Sequence, residues 1–248
     1  GAHKRLESFL PKLPHYASDR DRFDLDGTSG LSVHLRHGTI SIRECFRAAI
    51  GHEKWFNELI WREFYHMILS QFPHVVEGAF RQEYDAIDWP GDDEAFEKWA
   101  TGQTGYPIVD AAMRCFSATG WMHNRLRMVV AMFLTKDLLV DWRKGEAYFA
   151  RYLLDFDLAQ NNGGWQWSAS TGVDAQPYFR IFNPFLQSVK FDPEASFITK
   201  WCPELAELPV ELRHWPHTAT QFDQEAANCM LGQDYPHPIV NHQEQKSK

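Results

Sequence analysis

The sequence predicts an all-α fold, on three observations. Apolar residues recur at i, i+3, i+4 and i+7 through most of the chain, no segment alternates with period two, and the helical stretches begin and end at capping residues. A first helix holds Leu6, Phe9 and Leu10 and ends before Pro14; the polar run DRDRFDLDGTSGLS behind it reads as a loop. Ser41 and Glu44 have capping-box spacing at the head of IRECFRAAI. KWFNELIWREFYHMILSQF follows as a long amphipathic helix, with Phe56, Leu59, Ile60, Phe64 and Met67 on its apolar face and Pro73 closing it. Over 89–105 the composition turns to Pro, Gly and acids around a short FEKWA element. Pro107 then opens a helix whose buried stripe is Val109, Ala112, Met113 and Phe116. After Gly120, WMHNRLRMVVAMFLTKDLL and then residues 146–160 keep helical period. Beyond Thr171, Pro, Gly and short polar runs dominate, with one brief helix near 197–205. With no internal repeat or linker, residues 1–248 read as one domain.

Composition narrows the class. A chain of 248 residues buries a core without disulfides or metal, but ten tryptophans and 15% aromatic residues exceed what packing alone requires. Cys45, Cys115, Cys202 and Cys229 form no CxxC pair and no zinc spacing with histidine, so reduced buried thiols and no metal are expected. No apolar run approaches the roughly 18 residues of a membrane span, and GAHKRLESFL lacks the apolar centre of a signal peptide. A cytoplasmic protein with no membrane partner is the expectation. The net charge of −8 argues against indiscriminate adhesion to nucleic acid, yet leaves room for a local cationic groove.

Several residues are not explained by a core. Glu58, Trp61, Arg62 and Tyr65 share the polar side of the long helix, as either a solvated Glu58–Arg62 pair of about 0.3–0.5 kcal/mol or a stacking platform beside a carboxylate. In WMHNRLRM, Asn124, Arg125 and Met128 share a face and Arg127 lies beside Asn124; they are either solvated or set to read a base edge and a phosphate. Asp155 and Asp157 fall at the end of the 146–160 pattern, where the helix dipole disfavours carboxylates unless partners compensate them. Asn161, Gly163 and Gly164 in NNGGWQW form either an ordinary helix stop, with the glycines supplying positive φ, or part of a binding site. The hydroxyls and backbone of GTSGLS, 27–32, suit either a phosphate or a capped turn.

TGYPIVDAAMR, TGWMHNRLRMVVAMFLTKDLL, DWRKGEAYF, NNGGWQW and PYFRIFNP occur in this order, and together they resemble the photolyase/cryptochrome family over nearly the whole chain. The similarity is greatest to class I cyclobutane pyrimidine dimer photolyases. It implies the family's helical FAD-binding domain, without the N-terminal α/β domain that carries an antenna pigment, so no antenna pigment is expected on this chain. FAD in its fully reduced anionic form is the implied cofactor. Tyr16, Thr28, Ser29, Leu31 and Ser32 are similar to residues near its pyrophosphate and ribityl side, and Trp121 and Asn124 to residues around the adenine. Arg127 resembles the arginine that pairs with Asp155 beside the isoalloxazine. Asp157 resembles the acid accepting from the ring imide, and Asn161 the amide facing the central ring nitrogen.

The same resemblance implies an electron-hopping chain of Trp165, Trp142 and Trp89, ending near solvent. Trp61 and Trp167 match opposite walls of a lesion pocket. Glu58 matches the carboxyl that binds flipped bases, and Asn124, Arg125 and Met128 line that pocket, with Arg20 and Arg180 near the DNA backbone. The implied activity is light-driven dimer repair by a monomer acting on damaged DNA at the nucleoid, with a separate or removed antenna domain as a further contact. Asn124 and Met128 stand where (6-4) photolyases carry histidines, and Asn161 where plant cryptochromes carry an acid, which favours repair over a photoreceptor role. One departure is Gly30, in place of a larger, sometimes basic residue of the phosphate loop.

Overall fold

The computed structural model describes residues 1–246; among these the regular structure is helical, apart from one isolated bridge between Leu231 and Tyr235. The first helix, α1 (Ala2–Phe9), buries Ala2, Leu6 and Phe9. It ends at Phe9, before the expected Leu10, and Leu10–His15 tightens into a 3₁₀ segment because Pro11 and Pro14 each lack an N–H. Short helices α2 (Tyr16–Asp19), α3 (Ser32–Arg36) and α4 (Ile42–Ala48) follow. Ser41 caps α4 by accepting from Arg43 N at 3.2 Å, but the expected capping box does not form, since Glu44 turns to His3 of α1 at 3.2 Å.

The long helix α5 (Glu53–Gln71) corrects a second expectation. Its buried residues are Trp55, Leu59 and Ile68, whereas Ile60 and Met67 are exposed. The inward stripe runs Trp55, Leu59, Arg62, His66 at i, i+4, i+7, i+11, and its two polar members reach Asp157. Hydrophobic periodicity does not count such residues as inward-facing.

The central layer consists of α6 (Asp93–Thr101), α7 (Pro107–Thr119), α8 (Asn124–Met132), α9 (Trp142–Tyr152) and α10 (Leu158–Ala169), with a π-turn over Phe133–Asp137 behind α8. These helices share the largest apolar cluster, around Trp99, Met113, Phe116, Leu126, Phe133, Phe149 and Trp165. α7 carries the predicted stripe, with Pro107 in its first turn and Gly120 at φ 66° as its left-handed stop. The 146–160 pattern is not one helix: α9 ends at Tyr152 and α10 starts at Leu158. C-terminal to it lie α11 (Pro184–Phe191), α12 (Ser196–Trp201), α13 (Val210–His214), α14 (Gln221–Ala226) and α15 (His242–Gln245), where one brief helix was expected. Helices this short complete only one or two turns, so their signal lies in caps such as the Thr220–Asp223 box rather than in periodicity. All four cysteines are free and buried, and no helix among the described residues is long and apolar enough to cross a membrane.

Asp110 on α7 ties this framework together. Its fully buried carboxylate accepts from Thr104 N at 2.7 Å, Thr104 Oγ1 at 2.6 Å, Gly105 N at 3.0 Å and the Tyr235 hydroxyl at 2.6 Å. Burial pushes its pKa up, and the hydrogen bonds from Thr104 and Tyr235, with the nearby Arg114 charge, oppose that shift. Asp110→Ala removes the acceptor and leaves all four buried donors unpaired, so chemical denaturation is expected to show a loss of about 3 kcal/mol or more.

Candidate functional site

The site is built on α10, and the segment before it reverses the electrostatics expected of Asp155 and Asp157. Neither ends a helix: α9 stops at Tyr152, and Asp157 is the N-cap of α10, its Oδ1 accepting from Ala159 N at 3.1 Å. The carboxylate therefore faces the positive end of a helix dipole. Its other oxygen accepts from Arg62 Nη2 at 2.8 Å and lies 3.4 Å from His66 Nε2. Asp155, whose side chain is 2% exposed, accepts from Arg127 Nη2 at 3.0 and 2.8 Å. Arg127 is anchored in turn by its Nε, which donates to Met122 O at 2.8 Å.

NNGGWQW is helix interior, which corrects the helix-stop reading of its glycines. One helical turn assigns its residues to different faces. Asn162 and Gln166 form a structural clamp: both side-chain amides donate to Val75 O, Gln166 also donates to Gly78 O, and Gln166 Oε1 accepts from Phe80 N. Asn161 and Trp165 face α9. Asn161 Nδ2 donates to Glu146 O at 3.0 Å and to Glu146 Oε1 at 2.8 Å, which fixes the orientation of the amide and leaves Oδ1 with no partner among the described residues. Glu146 was not anticipated; burial raises its pKa, and the Asn161 hydrogen bond opposes the shift. A Cβ on Gly163 would collide with the Tyr65 ring, and one on Gly145 of α9 with the Trp165 indole.

Gly164 is different, since a Cβ there would meet no atom within 4 Å. On the helical wheel it lies between Asn161 and Trp167. The protein thus leaves an open notch beside an unpartnered amide oxygen, with the Arg127–Asp155 pair and Asp157 directly before the helix. A flat, hydrogen-bonding ring system fits that combination of a side-chain-free backbone and polar rim.

The remaining predicted residues are distributed as follows. Trp121 Nε1 donates to Ser32 Oγ at 3.3 Å, joining two expected binding segments. In the 27–32 loop Leu31 is buried, Leu31 N donates to Ser29 Oγ at 3.3 Å, and Thr28 lies beside them. Glu58 pairs with Arg20 rather than with Arg62, and the Arg20 guanidinium stands 5.8 Å over the Tyr16 ring. Arg125 is not solvated: it pairs with Asp21 at 2.8 Å and lies 4.6 Å over Phe191. Asn124 is exposed, its amide 3.8 Å from Met128 Sδ. Trp61 is 42% exposed beside Tyr65, Trp167 approaches Phe182 at 6.5 Å, and Arg180 is exposed on a turn. Trp165 and Trp142 are buried and Trp89 is partly buried against the same core. The rings in edge contact with Trp165 are Phe149, at 5.1 Å, and Trp99, at 6.0 Å.

Residues 55–248 match the family model described as the FAD binding domain of DNA photolyase. The chain belongs to the DNA photolyase FAD-binding domain family. It is 48% identical over 240 residues to the deoxyribodipyrimidine photo-lyase of Escherichia coli (strain K12), covering 92% of this chain and 50% of that protein. A bacterial class III photolyase from Agrobacterium tumefaciens superposes with a TM-score of 0.95 at 41% identity, over 100% of this chain and 53% of that one. An archaeal photolyase from Sulfolobus tokodaii, solved with two FAD molecules, matches at TM-score 0.84 and 45% identity, over 93% and 51% of the two chains. The chain spans about half the length of the curated relatives it matches.

His123 was also missed, although it sets α8. Its Nδ1 accepts from Arg125 N at 3.1 Å as the N-cap, while Nε2 is buried without a protein partner. Burial pushes its pKa down to about 4. The unfolded chain binds this proton near pH 6.5 and the folded chain does not, so stability is full above about 6.5 and is lost as pH falls towards about 4, by roughly 3 kcal/mol. Denaturant midpoints measured across that window should show the loss, and His123→Asn should flatten it. Gly145→Ala tests the Trp165 socket: helix propensity favours alanine by about 0.5–1 kcal/mol, but overpacking costs about 1–3. A net loss of stability with altered tryptophan fluorescence is expected.

Proposed function

We propose that residues 1–248 form the catalytic domain of a light-driven DNA photo-lyase that splits cyclobutane pyrimidine dimers. The observation that carries this reading is the open notch at Gly164, flanked by the free Oδ1 of Asn161 and by Trp167 and preceded by the Arg127–Asp155 pair and Asp157. In this reading Tyr16, Thr28, Ser29, Leu31 and Ser32 hold the phosphate and ribityl side of FAD. Trp121 and Asn124 hold the adenine, and Arg127, Asp155, Asp157 and Asn161 border the isoalloxazine. Bound in its fully reduced anionic form, FAD supplies the light-excited electron that opens the dimer.

The chain's own residues do the rest. Arg20 orients Glu58, whose second oxygen is left to accept from base N–H groups. Trp61 and Trp167 wall the pocket for the flipped bases, with Asn124, Arg125 and Met128 along its side. Flipping costs a few kcal/mol and least for an already distorted pair, which favours the lesion. Glu146 holds the Asn161 amide in one orientation. Trp165, Trp142 and Trp89 relay an electron between the core and the surface, a reading supported by the burial of the first two and the partial exposure of Trp89. Arg180 contacts the DNA backbone.

The deciding measurement illuminates the reduced, FAD-loaded chain with a thymine-dimer oligonucleotide and follows the returning absorbance of the pyrimidine double bonds. Restoration under light and none in the dark is expected. Glu58→Ala should weaken lesion binding by about 2–3 kcal/mol, the scale of a hydrogen bond to a charged group. Flavin photoreduction without restoration would instead mark a photoreceptor.

A further inference from the structure

The 27–32 loop carries hydroxyls but no cation. Between Arg22 and Arg36 there is no lysine or arginine, and Asp24 and Asp26 make the segment acidic. A diphosphate at this loop therefore needs positive charge from elsewhere, and the structure shows where it comes from. α1 is fixed in phase by burial of Ala2, Leu6 and Phe9, and Arg5 leaves the flank of that stripe towards the loop. Its guanidinium lies against Gly30, in the space a side chain at that position would take: a Cβ there would collide with Nη2, Nε and Cζ of Arg5. Gly30 adopts φ 60°, a conformation that also favours glycine.

Arg5 is held at the loop without being used up by it. Nε donates to Ser29 O at 2.9 Å, and Nη2 stands 3.7 Å from Asp26 Oδ1, too far for a hydrogen bond. Asp26 is already bound through its other oxygen and its carbonyl by Lys12. Two cations thus face one carboxylate, giving a local surplus of one positive charge. The Arg5 side chain is 44% exposed, and its Nη1 has no partner among the described residues. A guanidinium with free N–H groups beside a hydroxyl-rich loop is suited to phosphate oxygens.

We propose that Arg5 is a diphosphate-binding residue of the FAD site, supplying from α1 the charge that the loop itself lacks, and that Gly30 is the space it requires. The proposal rests on the FAD reading above. The test measures FAD affinity of the purified chain by flavin fluorescence for the wild type, Arg5→Gln and Arg5→Lys, each over a salt series, together with the denaturation midpoint of the flavin-free chain. Arg5→Gln should weaken FAD binding about tenfold, in proportion to one partly exposed charge-assisted contact. It should also flatten the salt dependence and leave the flavin-free midpoint unchanged, with Arg5→Lys in between. Unchanged affinity and salt slope in Arg5→Gln would overturn the proposal, as would a loss of affinity matched by a lower flavin-free midpoint. A wild-type chain that binds no FAD would instead sink the underlying FAD reading.

Discussion

The site depends on where α10 begins. Asp157 opens that helix, and its carboxylate is nearly buried, a position that costs several kcal/mol for an unpaired charge. Three contacts offset the cost: the capping bond to Ala159 N, the helix dipole, and the Arg62 guanidinium from α5. A cap contributes about 1 kcal/mol and the dipole about 0.3–1, so neither alone suffices and the arginine is required. Arg62 in turn faces inward only because α5 is rotated with Trp55 and Leu59 against the core. The apolar packing of α5 and this one ion pair together therefore link the rotation of α5 to the start of α10, and with them the faces on which Trp61, Asn161 and Trp167 stand.

The same economy of charge runs through the surrounding residues. Arg20 is committed to Glu58, Arg62 to Asp157, Arg125 to Asp21 and Arg127 to Asp155. These pairs order a polar interior rather than present a cationic face, in keeping with a net charge of −8. On the proposed function, affinity for DNA then comes from few phosphate contacts, Arg180 among them, and its salt dependence is shallow compared with that of a basic DNA-binding protein. Selectivity falls to the flipped bases and the aromatic walls.

Much of this was legible in the sequence, for identifiable reasons. α7 and α8 are sealed by Pro107 and Gly120 and carry unbroken apolar stripes, so period and punctuation agree. The residues around the notch were read from motif resemblance, and the structure brings Arg127 to Asp155 and Trp121 to Ser32. The break between α9 and α10 was not legible, because 153–156 holds neither proline nor glycine and keeps apolar residues in helical register. The break is made by tertiary bonds, such as Leu154 N donating to Gly120 O. The inward face of α5 was misread because Arg62 and His66 occupy inward positions. Glu146 and Arg5 act through partners remote in sequence, so spacing carried no trace of them, and His123 caps its own helix with a residue type outside the usual N-cap set.

Three glycines on α9 and α10 separate packing from function. A glycine inside a helix costs about 0.5–1 kcal/mol relative to alanine, so each needs a compensating contact. At Gly145 the Trp165 indole occupies the space, and at Gly163 the Tyr65 ring does; both are repaid by buried aromatic packing. At Gly164 a Cβ would meet no atom within 4 Å beyond its chain neighbours and the helix's own nearby backbone, and alanine would fit without collision. Packing within the chain gives no reason for glycine there. A flat group lying on the helix backbone does, because it can approach about a methyl radius closer than any other residue allows. On the proposed function, the position that packing alone leaves unexplained is the one that borders the bound ring, between Asn161 and Trp167.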